Sequence, residues 1–206
     1  MKKIKSVEEL CTFYGEPAEA SLWKELSYLS PHYQAFVHKA PFLILSTYGE
    51  KGIDCSPRGD PAGFVRVVDE KTLHIPDRRG NNRLDSLKNI IENKNVGIIF
   101  LVPGIGETLR VAGTAEIIVD ETLCESFSMN GKAASSVIEI FVEKAFVQCP
   151  KALKRSSLWE NEAKLARSEL PSLGEMLQYC AEKNNAKFSA EDYDKAYPER
   201  VKKTMY

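Results

Sequence analysis

Residues 72–117, "TLHIPDRRGNNRLDSLKNIIENKNVGIIFLVPGIGETLRVAGTAEI", decide the fold. "TLHIP" (72–76) is β-prone, while "NVGIIFLVP" (95–103) and "ETLRVAGTAEIIV" (107–119) flank "GIG" as the arms of a hairpin. Between them the period changes. Leu84, Leu87, Ile90 and Ile91 recur at three- and four-residue steps, which predicts a helix from about Asn82 with Asn81 or Asn82 as its cap.

Upstream, "PFLILSTY" (41–48) and "IDCSPRG" (53–59) read as strands joined by the turn "GEKG", and "GFVRVVD" (63–69) leads through "DEKT" to "TLHIP". Downstream, "DETLCESFSM" is a helix capped by Asp120, and "IEIFVEKAFVQCP" (138–150) is a long strand. Short helices precede the strands. "SVEELCTFYG" opens on a Ser6–Glu9 capping box, "PAEASLWKELSYL" repeats Leu22, Leu26 and Leu29 at helical spacing, and "SPHYQAFVHKA" follows Ser30. "SELPSLGEMLQYC", with Leu170, Leu173 and Leu177, makes the tail helical. Five or six antiparallel strands with one inserted helix predict a small barrel: a mainly β, α+β chain. We expect a single domain over 1–206, with N-terminal helices at about 6–39 and a helical tail at about 151–206.

A formal net charge of −1 excludes the overall field of a nucleic-acid or anionic-membrane binder, so any positive patch is local. Five scattered cysteines without a CxxC pair argue against a disulfide framework or a zinc site. "MKKIKSVEEL" has no apolar segment behind it, and the longest apolar run, "VGIIFLV" (96–102), is too short to span a bilayer. A cytoplasmic protein is expected.

Arg78, Arg79 and Arg83 surround Gly80, Asn81 and Asn82 where the internal helix begins. A helix start leaves backbone N–H groups unpaired, so added guanidiniums predict a phosphate pocket there. On "DCSPRGDPAG", Ser56 and Arg58 share a strand face, beside Pro57; on "GETLRVAGTAE", Thr108 and Arg110 share one while Leu109 and Val111 point to the core. If "CPKALKRSSLWE" is helical, Lys151, Arg155 and Trp159 form one stripe suited to an anionic aromatic ligand. Together these describe a binder of a phosphorylated aromatic cofactor. No GxGxxG follows a strand, and there is no P-loop. His32, His38 and His74 have no metal or dyad spacing, His74 reading as structural, and no nucleophilic triad is legible.

The blocks "SPRGD" (56–60), "IPDR" (75–78), "GNNR" (80–83), "ETLRV" (107–111) and "CPKA" through "LW" (149–159) resemble a flavin-binding subgroup of the pyridoxamine 5′-phosphate oxidase-like split barrels. "LPSLGEML" and "YPERVKKT" extend the likeness over nearly the whole chain. The resemblance implies a six-stranded antiparallel split barrel, working as a homodimer with FMN in clefts at the subunit interface. By the same resemblance, Ser56, Pro57 and Arg58 line the flavin, and Ile75, Pro76 and Asp77 follow its edge through backbone. Asn82 and Arg83 hold the phosphate, and Thr108 and Arg110 lie on the neighbouring strand, near the ring. Lys151, Arg155 and Trp159 reach in from the partner chain. The "SRK" phosphate signature and the C-terminal Arg/His arrangement of true pyridoxamine phosphate oxidases are missing, so vitamin B6 oxidation is not the expected activity. The expected function is an FMN-dependent oxidoreductase acting on a small molecule, with NAD(P)H as a possible electron donor. The alternatives are a flavin carrier or sensor without turnover, and a barrel that binds haem or a deazaflavin.

Overall fold

A computed structural model describes residues 1–206. Its centre is a seven-stranded antiparallel sheet: β1 (Phe42–Gly49), β2 (Gly52–Gly59), β3 (Arg66–Asp69), β4 (Thr72–Asp77), β5 (Asn95–Leu101), β6 (Thr108–Ile118) and β7 (Ser136–Gln148), in the order β2-β1-β5-β6-β7-β4-β3. The chain thus has the mainly antiparallel α+β architecture expected. The strand count is seven rather than six, because β3 is a separate four-residue edge strand that pairs only with β4. It starts at Arg66, since Gly63 turns the chain at φ +91°.

Strand length sets the curvature. The long β6–β7 pair carries β5 on the first half of β6 and β4 on the first half of β7. A bulge at Ala112/Gly113, within the β5 attachment, coils the pair. At that point a Cβ on Gly113 would lie 1.9 Å from the Phe141 carbonyl oxygen, so only glycine fits. The inner face is a continuous apolar core in which Leu43, Leu45, Leu73, Ile75, Phe100, Leu109, Ile138 and Ile140 are fully buried. Truncating such a side chain to alanine costs about 2–5 kcal/mol.

Helices close the ends. α3 (Pro31–Lys39), capped by Ser30, contributes the buried Val37. α4 (Asp85–Glu92) packs on β1, β2 and β6 through Ile90 and a buried Asn89 that donates to Thr47 Oγ1 at 3.1 Å. Gly49 makes this approach possible, because a Cβ there would lie 2.4 Å from the Asn89 and Glu92 side-chain oxygens.

Several predicted helices are shorter than their periodicity implied. α1 (Val7–Cys11) keeps half its capping box: Ser6 accepts the Glu9 N–H, but the Glu9 carboxylate takes the Lys5 N–H. α2 (Glu19–Trp23) stops early, as Leu26 leaves to exchange two backbone hydrogen bonds with Ala145 on β7 and Leu29 enters the core. α5 (Glu121–Glu125) begins on the Asp120 cap as expected. α6 (Lys151–Ser156) ends where Ser157 turns left-handed at φ 51°. In the tail, α7 (Leu173–Lys183) and α8 (Ala190–Thr204) pack together, with Gly174 N–H donating to Asp194 at 2.9 Å.

Candidate functional site

β2 and β4 are five places apart in the sheet order, yet their side chains meet. Arg58 Nη1 donates to Asp77 Oδ1, and Arg78 Nε donates to Asp60 Oδ2 at 2.7 Å. The blocks "SPRGD" and "IPDR" therefore cross: the arginine of each pairs with the aspartate of the other. The pairs are sheltered, with Asp60 2% and Asp77 11% exposed at the side chain. They close the barrel at a seam where no backbone ladder runs. Ser56 and Arg58 share the half-buried face of β2, as alternation predicted, while Pro57 is exposed on the other face. Arg58 Nε is buried and has no hydrogen-bond partner.

From the seam the chain runs into the loop 79–84. The helix starts at Asp85, not Asn82, because Asn82 (φ 59°) and Leu84 (φ 61°) are left-handed. A bulky residue in that region costs about 1–2 kcal/mol. Leu84 is also the N-cap position, and no side chain caps the helix, so the first-turn N–H groups of α4 are left without an internal acceptor. Left-handed residues alternating with ordinary ones splay successive amides into an anion-binding concavity.

The three arginines do not converge as expected. Arg78 is held at the seam, and its Nη1 also donates to the Phe127 carbonyl at 2.6 Å. Arg79 is exposed. Arg83, with its side chain 73% exposed, donates from Nε to Asp85 Oδ2 at 2.7 Å. The hydrogen bond from Arg83 holds the Asp85 carboxyl below its ordinary range. Asn81 Oδ1 accepts the Arg83 N–H at 3.0 Å, and Asn82 is exposed beside it.

The remaining predicted residues are elsewhere. Ile75 is core, and Pro76 is buried on β4. Register places Arg58, Leu43, Phe100 and Leu109 in one transverse row on the inner face, and Pro57, Ile44, Ile99 and Arg110 in the next row, on the outer face. Thr108 is buried but shares the outward side with Arg110, whose guanidinium is 5.0 Å from the Phe146 ring. β6 is thus three strands from β2, about 14 Å away at ordinary strand spacing, and not its neighbour. Within one chain Thr108 and Arg110 do not join Ser56 and Arg58.

The Lys151–Arg155–Trp159 stripe is also broken. Lys151 and Arg155 are exposed on α6, but Trp159 lies past the Ser157 turn and donates from Nε1 to the Ile105 carbonyl at 2.8 Å. That bond, with Pro150 against Gly106, lays this segment beside the β5–β6 turn.

Sequence reading missed the supports. Ser86 donates to Asp54 at 2.7 Å, Asn89 holds Thr47, and Glu92 accepts the Glu50 N–H at 2.8 Å, so α4 is pinned to the β1–β2 hairpin. The available signal was polar residues at the same helical steps as Ile90.

A curled antiparallel sheet with one helix inserted before its central hairpin defines the split-barrel class. The family model described as "Pyridoxamine 5'-phosphate oxidase" matches residues 29–149, more than half of the chain. The protein belongs to that family. No curated protein matches its sequence. Among solved structures it is similar to Group A Streptococcus HupZ (20% identity, 58% of this chain, 94% of that one, TM-score 0.48). It is also similar to a putative pyridoxamine 5'-phosphate oxidase from Lactobacillus delbrueckii (21%, 60% and 98%, TM-score 0.46). A third is an FMN-binding protein from Syntrophomonas wolfei (11%, 55% and 86%, TM-score 0.42).

Proposed function

We propose that this protein binds FMN and serves as an FMN-dependent oxidoreductase for a small molecule, working as a homodimer. The observation that carries the reading is the start of α4. Uncapped amides, two left-handed residues and an exposed Arg83, whose one partner is the exposed Asp85, lie together directly downstream of the seam and suit a phosphate. The donor set fits the cofactor. Asn82 and Arg83 would hold the phosphate, while Ser56, Arg58 and the backbone of Ile75–Asp77 would take the polar edge of the ring. Arg58 keeps an unused buried N–H for that purpose, and Asp77 fixes its guanidinium.

Bound flavin would supply the hydride or electron transfer. The chain's own part is to orient the cofactor, keep water off one face and present fixed positive charge at Arg58. Membership of the family supports the cofactor, and the missing pyridoxamine phosphate oxidase signatures leave its substrate open.

The division of the site supports the dimer. Thr108 and Arg110 are on the outward side of the barrel, the Lys151–Trp159 segment lies beside the β5–β6 turn, and Ser56 and Arg58 are on the inner side. A second copy can bring one set to the other. The outward face of β2-β1-β5 is apolar enough for this, with Phe42, Ile53 and Tyr48 exposed around the half-buried Ile44–Ile99 pair. Five free cysteines accord with a reducing cytoplasm, and no helix is long and apolar enough to cross a membrane.

The visible absorption spectrum of the purified protein tests the cofactor, and anaerobic NADH or NADPH tests turnover. A flavin spectrum that bleaches supports the enzyme. A flavin spectrum that persists means a carrier or sensor, and a haem or deazaflavin spectrum overturns the FMN assignment.

A further inference from the structure

Beside the Arg78–Asp60 pair of the seam, on the outward side, is a second concavity of about 330 Å³, bounded by the 60–66 connection and residues 126–129. Its volume is within the range of small-molecule sites, about 300–1,000 Å³. Two guanidiniums meet in it. Arg66 donates from Nη1 to Ser126 Oγ at 3.1 Å and from Nη2 to the Ser126 carbonyl at 3.3 Å. Arg78 donates to the next carbonyl, that of Phe127. The two cations thus hold the carbonyls on either side of Phe127.

Their charges are not balanced. Asp60 answers Arg78, and its other oxygen is taken by the Tyr206 hydroxyl at 2.8 Å. Arg66 is half-buried and has no carboxylate in salt-bridge range. Each guanidinium retains N–H donors beyond those engaged, in the planar fork that suits a carboxylate. His38, Asp60, Ser126 and Ser128 make the rest of the lining partly polar, and its apolar side is Phe64, Met129 and Phe127, whose ring is 4.0 Å from the Arg66 guanidinium carbon.

We propose that this cavity binds a small carboxylate carrying a flat apolar body. The carboxylate bridges Arg66 and Arg78, and the body packs against Phe64, Phe127 and Met129. The site shares Arg78 and Asp60 with the seam but uses none of the residues assigned to the flavin, so the proposal stands apart from the flavin reading.

An NMR-detected titration of the full chain with sodium benzoate, neutral benzamide and inorganic phosphate tests it. Benzoate is expected to bind with shifts at residues 60–66 and 126–129, about tenfold more tightly than benzamide or phosphate. Arg66→Gln should weaken benzoate by about tenfold with the fold intact. Met129→Trp, which fills the cavity and leaves both arginines in place, gives an independent test by abolishing the same shifts. No benzoate binding in the millimolar range overturns the proposal. So does benzamide or phosphate binding as tightly as benzoate, or unchanged benzoate affinity in a folded variant.

Discussion

The seam and the loop that follows it are built from the same residue types and use them in opposite ways. At the seam, Arg58 and Arg78 are sheltered and paired with Asp77 and Asp60. In the loop, Arg79 and Arg83 are exposed, and the only pairing is a local one to Asp85. Removing one member of a sheltered pair strands its partner's charge, whereas an exposed pair contributes little. The difference teaches that the alternation of Arg and Asp in "SPRGD" and "IPDR" builds the scaffold, while the donors left unanswered are those of the loop and of Arg58 Nε.

The sharpest way to break the contrast is Asp77→Ala. Stranding Arg58 should lower stability by about 3 kcal/mol in urea unfolding. An Arg58→Asp/Asp77→Arg exchange should recover part of the loss, and full additivity of the two single changes would refute the seam. Arg78→Gln, which loses one sheltered pair but leaves a carboxylate still bonded to Tyr206, should cost about 1–3 kcal/mol. In the loop, Arg83→Gln should leave stability within about 0.5 kcal/mol of the parent while weakening FMN binding by about tenfold in fluorescence titration. Leu84→Gly should raise the unfolding free energy by about 1 kcal/mol by relieving the left-handed backbone.

The smallest effect is that of pH. The folded Asp85 carboxyl titrates below its ordinary value of 3.8 because Arg83 bonds to it. Its contribution is present at neutral pH and lost as pH falls through the lowered value. Denaturation curves of the parent and Asp85→Asn should therefore differ slightly near neutrality and converge below about pH 4.

Most of the strands were legible because they are half-buried: Leu43, Leu45 and Thr47 alternate with outward residues, as do Val96, Ile98 and Phe100. The helix in 82–91 was legible in its apolar steps, but its start was not. Leucine is among the residues least suited to a left-handed turn, so nothing at position 84 announced one. The seam was hidden for another reason. Arg58–Asp77 and Asp60–Arg78 join residues 19 and 18 positions apart, and only the curl of the sheet makes them neighbours. The same limit hid the place of Arg110: its strand face was read correctly, but register sets its strand three places from β2. Trp159 was assigned to a helix that Ser157 ends.

Because ion pairs rather than backbone hydrogen bonds join β2 to β4, both outermost strands keep a free rim of amide and carbonyl groups. Such rims invite another chain to add on and start a fibre. β3 guards its rim by being four residues long and kinked, and β2 by Pro57, which supplies no N–H for an incoming strand. A proline read first as part of a ligand motif is also what keeps this half-open sheet from growing.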